Sequence, residues 1–134
     1  MLRPAPPPAG TVTFSCAYPA RPDQLRLIRA DLRGLLAGCP AADDVILCAS
    51  ELAGNAAVHS ESSQPGGTVI VSAEIRRGQY ARIAVDDAGG PWGGPVADPD
   101  RPHGLDLIAA LSTAWGITDT TAGRTVWASL RWLP

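Results

Sequence analysis

Residues 51–60 read ELAGNAAVHS, the C-terminal part of a longer run, DVILCASELAGNAAVHS, that opens at Asp43 or Asp44. Val45, Cys48, Leu52 and Ala56 recur at three- and four-residue steps, which predicts a helix with one apolar face. Glu51 and Asn55 stand four apart, so they leave the helix on one side, one turn from each other, and His59 follows a turn later. A glutamate so placed can take up a proton or orient a water, and an asparagine oxygen suits a hard cation such as Mg2+. An ordinary helix also carries Glu/Asn pairs on its wet face, so the stretch needs its neighbours to be decisive.

Downstream, TVIVSAEI (68–75) and YARIAVDD (80–87) alternate and read as strands around a hairpin at Arg77 and Gly78. Ile83, Val85 and Asp87 share parity, which turns the Asp87 carboxylate inward at the end of a buried strand. Asp86 takes outward parity and is expected in solvent. An inward carboxylate needs a partner because burying an unpaired charge is costly. An amino group recognised by Asp87 would supply one; alternatively, Asp87 opens a turn for which Gly89 and Gly90 provide positive φ. The loop AGGPWGGPVADPDRP (88–102) follows, long enough to suggest a functional segment. It leads through His103 into HGLDLIAALSTAW, a third helix whose first N–H groups, at Gly104 and Leu105, form an anion site. GRTVWASL (123–130) reads as a closing strand with Thr125 near its start, after a strand near residues 116–118.

Upstream, TVTFSCAY (11–18) is a predicted first strand, and Pro22 and Asp23 open a helix with Leu25, Ile28, Leu32 and Leu35 on its apolar face. The order strand, helix, helix, hairpin, loop, helix, hairpin predicts an α+β fold. It is a two-layer sandwich of helices on one face of a mixed, mostly antiparallel sheet. The chain of 134 residues suits one domain over residues 11–134, with residues 1–10 a flexible, proline-rich tail. A net charge of -2 offers no electrostatic case for nucleic acid, and Arg26, Arg29 and Arg33 read as the solvated side of the first helix. All 11 basic side chains are arginine, which excludes a phosphate loop of the lysine-dependent kind. Cys39 and Cys48 sit among apolar residues and read as buried thiols. The proline-rich start lacks the apolar run of a signal peptide, and no stretch is long and apolar enough for a membrane helix, so the expected compartment is the cytoplasm.

Taken in order, ExxxN on a helix, DxG after a hairpin, a Gly-rich loop into HGL and a closing GRTVW resemble the histidine-kinase-like (GHKL, Bergerat-fold) ATP-binding domain. That domain is shared by histidine kinases, gyrase-type topoisomerases and MutL. The resemblance is closest to the stand-alone, RsbW-like anti-sigma factor serine/threonine kinases of actinobacteria and runs from about Phe14 to Trp132. It implies Glu51 as the general base, Asn55 as the Mg2+ ligand and Asp87 as the group that binds the exocyclic amine of adenine. Gly89 would let the base approach, Gly104 and Leu105 would open the phosphate-binding helix with His103 as a further phosphate contact, and Thr125 would support the adenine pocket beside Asp87.

Two positions depart from the family pattern: Pro102 stands where the GxGL motif has its first glycine, and Pro91 where DxGxG has its second. Pro102 brings no N–H and a fixed φ, which removes one phosphate contact. The resemblance implies an ATP- and Mg2+-dependent kinase that holds a sigma factor and phosphorylates a STAS-type anti-sigma factor antagonist, and it admits a homodimer. The departures favour an alternative, a nucleotide-binding or degenerate adaptor that regulates a protein partner by contact alone. A metal hydrolase built on His59 and His103 has no supporting ligand spacing.

Overall fold

A computed structural model describes residues 10–59, 67–88, 104–120 and 123–132. The elements run β1 (Thr11–Pro19), a short 3-10 turn (Pro22–Gln24), α1 (Leu25–Leu35), α2 (Ala42–His59), β2 (Thr68–Arg76), β3 (Tyr80–Asp87), α3 (Gly104–Leu111), β4 (Ala114–Thr120) and β5 (Gly123–Arg131). The five strands form one sheet in the order β1-β2-β3-β5-β4. Among the described residues every pairing is antiparallel, in keeping with the mostly antiparallel sheet expected. Two of these pairs join strands consecutive in the chain: Gly78, at φ 79°, closes the β2–β3 hairpin, and β5 returns alongside β4. The α+β sandwich itself stands as expected.

One sheet face carries the core. Val69, Val71, Ala73 and Ile75 of β2, Ala81, Ile83 and Val85 of β3, and Val126, Ala128 and Leu130 of β5 are all buried at two-residue steps. Ile28, Leu32 and Leu36 of the α1 segment join Val45, Cys48, Ala49, Leu52 and Ala56 of α2 over that face. Proline in the first turn and Gly38, at φ 80°, bound the α1 segment. Asp43 and Asp44 sit in the first turn of α2, where the helix dipole favours acids. Cys39 and Cys48 are buried, as their apolar neighbours suggested.

The third helix stops at Leu111, short of the Trp115 expected from its apolar run. Thr113 donates to the Ser129 carbonyl from both its N–H (2.8 Å) and its hydroxyl (2.9 Å), which starts the β4–β5 ladder and places Trp115 on a strand. On the opposite sheet face, Trp127 lies against Gly116, with the Arg82 guanidinium 4.3 Å from the indole centroid. The proline-rich tail expected over residues 1–10 lies almost wholly outside the described residues.

Leu32 is fully buried between the helices and the sheet, so Leu32→Ala is expected to cost about 2–5 kcal/mol. Gly116→Ala would bring a methyl group to 2.8 Å from Trp127 Nε1 and is expected to cost about 1–3 kcal/mol. Urea unfolding midpoints measure both, and a Gly116→Ala midpoint equal to wild type would show that Trp127 moves aside freely.

Candidate functional site

The chemistry-bearing helix is α2, which packs against α1, α3, β2 and β3. Its contacts with α1 fix its rotation. Arg29 Nε donates to Ser50 Oγ at 3.0 Å, Ser50 in turn donates to the Ile46 carbonyl at 2.9 Å, and a methyl group on Gly54 would meet Leu25 Cδ1 at 3.8 Å. With 3.6 residues per turn, Glu51 and Asn55 lie about 40° apart and roughly 100–140° around from Ser50. Both are half-buried and lie beside the α1-facing side, Glu51 about 60° and Asn55 about 100° around from Gly54.

The Cys48 thiol reports the same flank. Burial, and after it the carboxylates of Asp44 and Glu51, together push it up from 9.0 to about 11. Asp44, Cys48, Glu51 and Asn55 therefore form one side of α2, with the thiol at its base and the Glu51 carboxylate near it.

Asp87 ends the inner row of β3, after the buried Ala81, Ile83 and Val85, on the face that α2 covers. The inward parity expected for Asp87 holds. Asp86 does not stand in solvent as expected: it is half-buried and accepts a hydrogen bond from the Thr125 hydroxyl. The register explains this, because β3 and β5 pair Asp86 with Thr125 and Asp87 with Arg124. The expected placement of Thr125 beside Asp87 is thus corrected, since its hydroxyl lies on the outer sheet face and serves the neighbouring carboxylate.

Gly104 opens α3, and Leu105 is buried one residue later, so the start of α3 is anchored in the core while its first N–H groups lack helical partners. Gly89, His103 and, but for Ala88, the loop expected to be a functional segment fall outside the described residues, as does the side chain of His59. An acid and an amide thus stand on α2, a carboxylate at the end of a strand that α2 packs on, and a helix N-terminus on the adjoining α3.

Two participants escaped the sequence reading. A side chain at Gly123 would overlap the Asp87 carbonyl oxygen and lie 3.3 Å from its carbonyl carbon. Only glycine lets the start of β5 pass this close to the end of β3. Arg124 is buried and its Nε donates to Asp119 Oδ1 at 2.9 Å. Its shared parity with Val126, Ala128 and Leu130 was the signal that could have placed it inward.

Among the described residues no cluster of three or more His, Cys, Asp or Glu could hold a metal ion. Asn55 offers a hard side-chain oxygen of the kind that Mg2+ accepts. No helix is long and apolar enough to cross a membrane among the described residues.

Gly123→Ala is expected to displace the Asp87 backbone and cost about 1–3 kcal/mol, read as a lowered urea midpoint; an unchanged midpoint would contradict the close approach. Alkali tests Cys48. Its folded pKa lies above its unfolded value of 9.0, so the stability it contributes is complete below pH 9 and is lost as pH rises towards 11. Across that window the urea midpoint of Cys48→Ala is expected to fall less than that of wild type.

Residues 18–130 match the family described as the histidine kinase-like ATPase domain. Comparison with curated protein sequences finds no match. Among solved structures, the chain is similar to the RsbU and RsbW domains of Rv1364c from Mycobacterium tuberculosis. The TM-score is 0.71 at 25% identity, with 95% of this chain and 33% of that one covered. The blue-light activated histidine kinase EL346 of Erythrobacter litoralis shares the fold, at TM-score 0.54 and 18% identity over 82% of this chain and 41% of that one. Its separate histidine kinase domain gives 0.51 and 18% over 85% and 61%. The chain thus spans about a third of the first of these proteins. With the match covering nearly all of the sandwich, from the end of β1 to β5, the chain belongs to the histidine kinase-like ATPase domain family.

Proposed function

We propose that the chain binds ATP with Mg2+ between the Asn55 flank of α2 and the Asp87 end of β3. On this reading it acts as a serine/threonine protein kinase and anti-sigma factor in a partner-switching system. The observation that carries the reading is the placement of Glu51 and Asn55 one turn apart on a half-buried stripe of α2, with Asp87 inward on the strand that α2 covers. Asp87 accepts from the exocyclic amine of adenine, Gly89 leaves room for the base, and Gly104 and Leu105 offer N–H groups to phosphate, with His103 beside them. Thr125 holds the strand end from the outer face through Asp86.

Glu51 takes the proton from a substrate Ser or Thr hydroxyl as its oxygen bonds to the γ-phosphorus and the bond to the ADP oxygen breaks. Asn55 gives an oxygen to Mg2+, which when bound neutralises charge on the phosphates. The phosphoryl acceptor is an anti-sigma factor antagonist, and the released partner is a sigma factor. Family membership and the similarity to a structure containing an RsbW domain support these partners.

Glu51→Ala is expected to keep ATP binding and lose phosphoryl transfer to the antagonist by about a hundredfold or more. Labelled ATP with Mg2+ and purified antagonist reads the transfer. A wild type that transfers no label, or a Glu51→Ala protein as active as wild type, defeats the kinase reading. Pro102 in place of a glycine ahead of α3 supports a second reading, an adaptor that regulates by contact alone. Calorimetry separates the two, because an adaptor without nucleotide shows no saturable heat with millimolar ATP or ADP.

A further inference from the structure

Arg124 breaks the apolar rule of the inner sheet face. Val126, Ala128 and Leu130 follow it on β5 at two-residue steps and are buried, and Arg124 shares their orientation at 6% exposure. A guanidinium does not shed its proton, so a buried one must be matched by acceptors. The register supplies a carboxylate on each side: β5 pairs Arg124 with Asp87 of β3 and with Asp119 of β4. Opposed side chains on antiparallel strands have Cβ atoms about 4.5–5.5 Å apart, within reach of an arginine.

Asp119 receives Nε at 2.9 Å, yet its side chain is 64% exposed while that of Arg124 is 5% exposed. An ion pair with an exposed carboxylate contributes little and gives no reason to bury the cation. The planar fork of five donors can serve carboxylates on both neighbouring strands at once. Gly123 restrains the same residue from the backbone side, since only glycine clears the Asp87 carbonyl group. Two consecutive residues of β5 thus bracket Asp87, one at its main chain and one at its side-chain face.

We infer that Arg124 is a positioning and specificity-determining residue for nucleobase recognition, holding the Asp87 carboxylate ionised and oriented so that the pocket accepts a 6-amino purine and rejects a 6-oxo purine. This role rests on Asp87 as the adenine-reading group. An ionised carboxylate only accepts hydrogen bonds, which matches the amine of adenine. A protonated carboxyl could donate to the 6-oxo group of inosine, and a neighbouring cation disfavours that state. Selectivity between the two bases then depends on Arg124, although Arg124 reads the base only through Asp87.

Isothermal titration of ATP and ITP into the wild-type chain, Arg124→Met and Arg124→Lys tests this, with circular dichroism as the check on folding. Wild type is expected to favour ATP, and Arg124→Met to reduce the ATP/ITP affinity ratio about tenfold, the scale of one charge-assisted hydrogen bond. Arg124→Lys should recover part of the ratio. Competition by inorganic tripolyphosphate should be the same in all three, which a general loss of structure would not leave intact. Should Arg124→Met fail to fold, Arg124→Gln keeps donors without charge and takes the same measurement. A variant with the wild-type ratio overturns the role of Arg124 alone. A wild type that binds ATP and ITP equally removes the Asp87 reading and this role with it.

Discussion

The two-residue alternation of β3 is the constraint on which both core and site depend. Ala81, Ile83 and Val85 bury their side chains against the helix layer, and the next position in that row is Asp87. The pleat that builds the core also delivers a carboxylate to its border. A slip of one residue would turn the apolar set to solvent and carry Asp87 to the outer face, so the energy of the core enforces the site's orientation. The adjacent carboxylates Asp86 and Asp87 acquire opposite environments for the same reason. Asp86 accepts from the Thr125 hydroxyl on the outer face, whereas Asp87 faces Arg124 across the inner one.

The second half of the site comes from a helix buried around most of its circumference. Ala49, Ala53, Ala56 and Ala57 on α2 are small enough to let α1 and the sheet approach closely, and Ser50 is buried where Arg29 reaches it. What is left half-exposed is a narrow stripe bearing Glu51, Gly54 and Asn55. Groups on a helix so enclosed have little freedom to reorient, which is what phosphoryl transfer by positioning requires.

The fold was legible wherever a period could be counted. The three-and-four spacing of Leu25, Ile28, Leu32 and Leu35 marked α1, and the alternation of β2 and β3 marked the hairpin between them. Strand pairing was less legible, because a period shows which way a side chain points and not what stands across from it. Thr125 was therefore set beside Asp87 when the register gives it to Asp86. The end of α3 was misread for a related reason: an apolar run suits helix and strand alike, and the Thr113–Ser129 pairing that decides between them is non-local. Glu51, Asn55 and Asp87 came from local spacing, and their faces in the structure agree with it. Gly123 and Arg124 act through contacts between strands, so their importance emerges only once β5 is laid against β3.

The residues Asp87, Arg124 and Asp119, opposed in register across β3, β5 and β4, lie at the border of a helix layer that is short among the described residues. Of the described helices α3 is the one that packs on β4, and its eight residues span about 12 Å, whereas the seven residues of β4 extend about 23 Å. A helix half as long as its strand cannot cover it, and Trp115 and Ile117 on the inner face of β4 each remain 38% exposed. Water therefore reaches the inner sheet face from the β4 side, and Asp119 stands in it while Arg124, one strand inward, does not. An apolar residue at 124 would extend the core to the foot of Asp87 and leave that carboxylate to be desolvated without a cation beside it. A buried arginine tethered to the solvent-exposed Asp119 instead sets a cation between that wet edge and the strand that carries Asp87.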